Sequence, residues 1–463
     1  MKPILLTDFG STYTKLTAVD VEQCRLLATG ASFTTIDTDV SIGFQNALAQ
    51  LQDKLGGIEF SEAYACSSAA GGLRMMVSGL VPELTSEAAR LASLGAGAKV
   101  IGTFSFELTE EDLQTIQAEK PDIFLLVGGT DGGNAACITH NAKMLASIKP
   151  EFPIIYAGNR VAVSSCKELL KDCLLTVCPN VMPKFGVLKI EQTQASIREI
   201  FLSRIIEAKG LSKTASMFSD ILMPTPAAVL KAMTLLADGK NGIAGIGELV
   251  GVDVGGATTD VYSIADGMPQ QVNRVYKGLP EPYAKRTVEG DIGMRYSLHG
   301  VVDAAGISRV CQLSGLTKDR AEQLLAQLQN DKSTVPHDDD LAAFDYAIAS
   351  LATEIAVMRH AGTIEQTFTM MGETFVQSGK DLSSVKNIIV TGGSLIHSDR
   401  AFEIAAHAQY NAMQPASLRP KQARVAVDRS YILAAMGLLS AHYPEAALTI
   451  MKKELQWDGN SEP

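Results

Sequence analysis

Two stretches far apart in this chain share one pattern: an apolar run, an aspartate, a glycine turn rich in hydroxyls, then a second apolar run. The first reads Ile4-Leu5-Leu6-Thr7-Asp8-Phe9-Gly10-Ser11-Thr12-Tyr13-Thr14-Lys15, and the second Val250-Gly251-Val252-Asp253-Val254-Gly255-Gly256-Ala257-Thr258-Thr259-Asp260. Each predicts a tight β-hairpin. Residues 4–6, 14–18 and 25–28 read as a meander followed by an amphipathic helix over 44–55. Strands at 63–66, 99–104, 123–127 and 154–156 then alternate with helices at 85–94, 110–118, 135–147 and 161–171, which implies a parallel sheet with helical cover. Beyond Pro183 the pattern turns helical, at 194–208 and 226–237, until Asp238-Gly239-Lys240-Asn241-Gly242 breaks it and a linker with Gly245 and Gly247 leads to Asp253. The second half predicts strands around Asp253, at 261–264 and at 272–276, helices at 303–313, 318–328 and 341–358, and a fraying polar tail from 452. Asp338-Asp339-Asp340 suits the start of the last helix better than a metal site.

The repetition extends beyond the turns. A strand over 123–127 runs into Gly128-Gly129-Thr130-Asp131-Gly132-Gly133, and one over 388–391 into Gly392-Gly393-Ser394, at similar distances from Asp8 and Asp253. Matching order and spacing predict an internal duplication. Chemically, backbone N–H groups and hydroxyls of Gly10, Ser11 and Thr12, and of Gly255, Gly256, Ala257, Thr258 and Thr259, suit phosphate oxygens. Asp8 and Asp253 suit a hydrated Mg²⁺, which keeps its waters and takes one or two carboxylates. A nucleotide clamped between two lobes is the expectation. Lys15 could reach the phosphates or serve between strands.

Composition narrows the class. The chain of 463 residues is 46% hydrophobic and 20% charged, ordinary for a globular protein. Its net charge of −11 argues against a nucleic-acid groove. No signal peptide or run of about 18 apolar residues appears, so no membrane partner is expected. Seven cysteines without C-x-x-C spacing point to a reducing, cytoplasmic setting; Cys166, Cys173 and Cys178 read as small packed residues rather than cluster ligands. The absence of D-x-H-x-x-G argues against a cobalamin-carrying mutase subunit.

The two turns resemble the phosphate loops of the actin, Hsp70 and sugar-kinase superfamily, and Gly392-Gly393-Ser394 resembles its adenosine loop. Pro224-Thr225-Pro226-Ala227-Ala228 and the small residues within 430–439 resemble its linking helices, the latter suited to close crossing. More narrowly, Ala65-Cys66-Ser67-Ser68-Ala69-Ala70-Gly71-Gly72-Leu73-Arg74-Met75, Gly95-Ala96-Gly97-Ala98-Lys99-Val100, the loop at 128–134 and Thr287-Val288-Glu289-Gly290-Asp291-Ile292-Gly293-Met294-Arg295 resemble the glutamate mutase accessory family, MutL or GlmL. The resemblance implies an α/β, two-lobed actin-like ATPase with duplicated ribonuclease H-like lobes, 1–245 and 246–463, and a nucleotide cleft between them. It implies ATP and Mg²⁺ as ligands, with Asp8 and Asp253 as catalytic and metal residues. The implied partner is a coenzyme B12-dependent glutamate (methylaspartate) mutase, served by a reactivating chaperone. Glu289, Gly290, Asp291 and Arg295 would line the cleft on resemblance alone, with an acidic helix start as the other reading. One departure stands out: an acidic residue that orients water in Hsp70-like relatives is Met223 here, which predicts slow hydrolysis unless Asp131 or Glu248 substitutes. A small-molecule kinase and an actin-like structural protein remain alternatives.

Overall fold

The first apolar run forms the strand Pro3–Phe9, central in its sheet and buried along its whole length. It pairs antiparallel with Tyr13–Asp20, which pairs antiparallel with Arg25–Phe33. On its other side it runs parallel to Glu62–Ser67, and that strand parallel to Asp220–Pro224. The helix Val40–Leu55 covers the meander with Phe44, Ala47 and Leu51, a helical spacing that faces Phe9. Gly30 permits the approach: a Cβ there would lie 2.8 Å from the Ala47 carbonyl oxygen.

The computed structural model describes residues 1–10, 12–34, 40–68, 73–208, 218, 220–369 and 372–459. It comprises two units: Met1–Ala232 with Gly278–Pro282 and Ala434–Ala447, and Met233–Lys277 with Tyr283–Leu433 and Leu448–Pro463.

The second unit repeats the first sheet strand for strand. Ala284–Glu289, Thr259–Ile264 and Leu249–Val254 form the antiparallel meander, followed by Asn387–Thr391 and Arg424–Val427 in parallel. The duplication is therefore real, with two corrections to its expected members. The counterpart of Asn387–Thr391 is Glu62–Ser67, not the strand that enters Gly128-Gly129. The third meander strand is Ala284–Glu289, not 272–276; Arg274–Lys277 joins a separate sheet with Thr363–Thr369 and Gly372–Ser378. Charge hid the true strand. Lys285 and Arg286 are buried, Lys285 donating to the His360 carbonyl at 2.7 Å and Arg286 to Asp260 at 2.7 Å, so no apolar alternation marks it.

Between Ser68 and Asp220 the first unit carries an all-parallel sheet ordered Ala98–Ser105, Leu73–Gly79, Ile123–Leu126, Ile154–Tyr156, Leu175–Val177. The Gly128-Gly129 loop belongs to the carboxyl edge of this sheet. Buried Asn159 holds it, accepting from Gly132 N and donating to the Gly133 and Asn134 carbonyls. Asn180 joins the Gly129 carbonyl and Asp131 to the loop after the last strand.

The helix predicted over 341–358 spans Asp339–His360. It is long and apolar enough to cross a membrane, yet most of its residues are buried in the second unit's core. Asp338 caps it, accepting from Leu341 N at 2.7 Å. Asp338→Ala should cost about 1 kcal/mol, read as a lower thermal midpoint. The tail is more ordered than expected: Pro444–Glu454 is helical and Gln456–Trp457 adds an antiparallel strand beside Arg424–Val427. Residues 460–463 of the predicted fraying tail lie outside the described residues.

Glu62 ties chain segments far apart in sequence. Its carboxyl is held down to about 2, foremost by the Lys2 ammonium, then by the Tyr64 hydroxyl, with Tyr443 also donating. An unfolded Glu titrates near ~4.3. This cluster therefore contributes stability above that pH and loses it as pH falls toward 2. Lys2 and Glu62 are partly exposed, so solvent screening keeps the slope shallow. Thermal midpoints from pH 6 to pH 2.5 should fall less steeply for Glu62→Gln than for the parent.

Candidate functional site

The two hairpin turns are built alike. Gly10 N donates to the Tyr13 carbonyl at 3.0 Å, and Gly255 N to the Thr258 carbonyl at 2.9 Å. A Cβ on Gly10 would meet that carbonyl oxygen at 2.6 Å, and one on Gly255 at 2.8 Å. Glycine is thus required two residues after each aspartate. Thr12, Gly256 and Ala257 are exposed at the tips, Thr258 is half-buried and Thr259 buried. Ser11, and residues 69–72 of the family-like segment, lie outside the described residues.

Asp8 is buried and held from three directions. Its Oδ1 accepts from the Thr225 hydroxyl at 2.5 Å and from the Cys66 thiol at 3.5 Å, while Lys15 Nζ stands 3.8 Å from Oδ2. Burial and the neighbouring Asp8 charge push the Cys66 thiol well above its ordinary pKa, so it remains a donor. Lys15 faces Asp8 in strand register, an inter-strand ion pair. Cys66 and Thr225 were not picked out as site residues from sequence. Both lie in family-like segments, but their contact with Asp8 comes only through strand pairing and from the start of a helix 217 positions away.

Asp253 occupies the same place in its own sheet, opposite Asp260 on one side and Thr391 on the other. Gly392 has φ +102°, and a Cβ there would lie 2.4 Å from the Val254 carbonyl oxygen and 2.9 Å from Asp253 Oδ1. The Gly392-Gly393-Ser394 loop therefore lies directly against the Asp253 strand end. Gly393 is exposed and Ser394 half-buried. Asp8 and the first turn belong to the first unit; Asp253, the second turn and the Gly392 loop belong to the second.

The family-like segment at 287–295 buttresses the second turn. Met294 N donates to the Gly255 carbonyl at 3.0 Å and Arg295 N to that of Gly256 at 2.8 Å, while a Cβ on Gly293 would meet the Ala257 carbonyl carbon at 2.6 Å. The Arg295 guanidinium is taken by Asp345 and the Thr334 carbonyl, and Glu289 and Asp291 both pair with Arg359. Glu289 ends a strand rather than starting a helix.

Met223 is buried opposite Cys66 in strand register. Both suggested substitutes are engaged within their own surroundings. Asp131 accepts from Arg160 N and Asn180 within the inserted sheet. Glu248 lies at the opposite end of the Asp253 strand and accepts from Asp266 N. At about 3.3 Å per residue that puts it roughly 16 Å along the strand from Asp253.

A family model described as MutL protein matches residues 4–455. The chain belongs to the MutL protein family. Protein MutL of Clostridium tetanomorphum is 46% identical over 467 residues, covering 98% of this chain and 99% of that protein. Among solved structures, a diol dehydratase-reactivating factor in nucleotide-free form is similar at 11% identity and TM-score 0.38, covering 96% of this chain and 100% of that one. The activator of 2-hydroxyisocaproyl-CoA dehydratase from Clostridium difficile, with bound ADPNP, is similar at 10% identity and TM-score 0.33, covering 96% of each chain. The duplicated strand order of this MutL-family chain is itself the one expected of two ribonuclease H-like lobes.

Proposed function

We propose that this MutL-family chain is an ATP-dependent accessory protein of a coenzyme B12-dependent glutamate (methylaspartate) mutase that restores inactivated enzyme. One observation carries the nucleotide part: each unit presents, at the same place in the same sheet, a carboxylate two residues before a glycine turn of identical hydrogen bonding. The donor set suits the ligand. Gly10, Ser11, Thr12 and residues 255–259 offer backbone N–H groups and hydroxyls to phosphate, and Asp8 and Asp253 offer carboxylates to the waters of Mg²⁺. Gly392, Gly393 and Ser394 would receive the adenosine. Bound Mg²⁺ would neutralise phosphate charge; the chain itself binds and orients. A triphosphate shared by both turns would hold the units differently from a diphosphate, giving a switch whose ATP state acts on the mutase. Met223 in place of an acid supports slow hydrolysis.

The test is recovery of mutase activity after inactivation by turnover. Addition of this chain with Mg²⁺·ATP should restore activity, and addition with ADP, or without nucleotide, should not. Equal recovery without ATP would overturn the proposal.

A further inference from the structure

The geometry points to Thr225 as a positioning residue that couples the Asp8 carboxylate to the helix Thr225–Asp238; this rests on the proposed role of Asp8 in holding hydrated Mg²⁺ of a bound nucleotide. The Thr225 hydroxyl donates to Asp8 Oδ1 at 2.5 Å, the length of a charge-assisted O–H···O⁻ bond, roughly twice as strong as a neutral one. Thr225 is also the first residue of its helix, whose residues from Met233 onward belong to the second unit. The two residues before it, Met223 and Pro224, are paired with Cys66 and Ser67. Cys66 in turn donates to the same oxygen of Asp8. A change at the carboxylate therefore reaches the helix start through one bond.

The second half has a related bond one strand over from its turn aspartate. Thr391, the strand partner of Asp253, donates to Asp428 Oδ2 at 3.2 Å. Asp428 accepts from Ile432 N at 3.0 Å and Leu433 N at 3.1 Å, where the helix Leu433–Leu439 begins and passes from the second unit into the first. In each half a hydroxyl–carboxylate bond thus lies at the foot of a helix shared by the units, and in the first half it includes the turn aspartate itself. Linkage makes the coupling reciprocal: whatever fixes Asp8 also steadies the helix start.

The experiment combines titration of Mg²⁺·ATP with amide hydrogen exchange on the full chain. In the parent protein, Mg²⁺·ATP should slow exchange in peptides covering 227–230. Thr225→Val should weaken binding about tenfold, the loss of one hydrogen bond to a charged group, and should abolish that protection; Thr225→Ser should restore both. If the parent binds Mg²⁺·ATP without protecting 227–230, or Thr225→Val retains affinity and protection, the coupling is refuted while the nucleotide proposal survives. If Thr225→Val unfolds, the parent's exchange result alone decides. Failure of the parent to bind Mg²⁺·ATP refutes both.

Discussion

Asp8→Ala is expected to weaken Mg²⁺·ATP binding by roughly 10–100-fold, the usual loss when a group that orients a metal through water is removed. The fold should survive. The two donors left behind on Oδ1, the Thr225 hydroxyl and the Cys66 thiol, are neutral, and each forfeits one bond. Lys15 is partly exposed and can swing its ammonium into solvent on a flexible stem. Binding should therefore fall far more than the thermal midpoint. Calorimetric titration beside a melting curve separates the two, and parent-like affinity in Asp8→Ala would remove the aspartate from the site.

Gly437→Ala should destabilise the protein even though helix propensity predicts the opposite. Alanine in place of glycine within a helix gains about 1 kcal/mol. Here a Cβ would lie 1.8 Å from the Ala228 carbonyl oxygen, a backbone atom of the helix Thr225–Asp238 that cannot rotate away. Overpacking of a close crossing costs about 1–3 kcal/mol and occasionally more, and contact with fixed backbone belongs at the upper end. Packing should win, with a net loss of about 2 kcal/mol or more. Thermal unfolding gives the sign directly; a raised midpoint would mean that the helices do not cross as closely as described.

The parts legible in the sequence are those written in local chemistry. The Asp-x-Gly turns, the small residues around Gly437 and the acidic start of Asp339–His360 each carry their signal within a few positions. The strand Leu73–Gly79, the inner strand where the order of the inserted sheet reverses, is short of apolar signal because Arg74 interrupts its run and two methionines favour no strand. Ala284–Glu289 was invisible for another reason, its burial depending on long-range partners for Lys285, Arg286 and Thr287. Diglycine matching misassigned the Gly128 loop because tight turns after a strand look alike whichever sheet supplies the strand. The glycines and aspartates of the two turns carry their own local signal, whereas the bonds of Thr225 and Cys66 to Asp8 arise only on folding.

The two-residue strand Gln456–Trp457 closes the flank of the second unit's main sheet. Trp457 is buried, with the Arg424 guanidinium 4.1 Å over its ring. Without it, Arg424–Val427 would present unsatisfied amides and carbonyls along a bare margin, a template for pairing with another molecule. Gln456–Trp457 thus guards that margin against self-association, and a chain shortened to before Gln456 should run as larger species in size-exclusion chromatography.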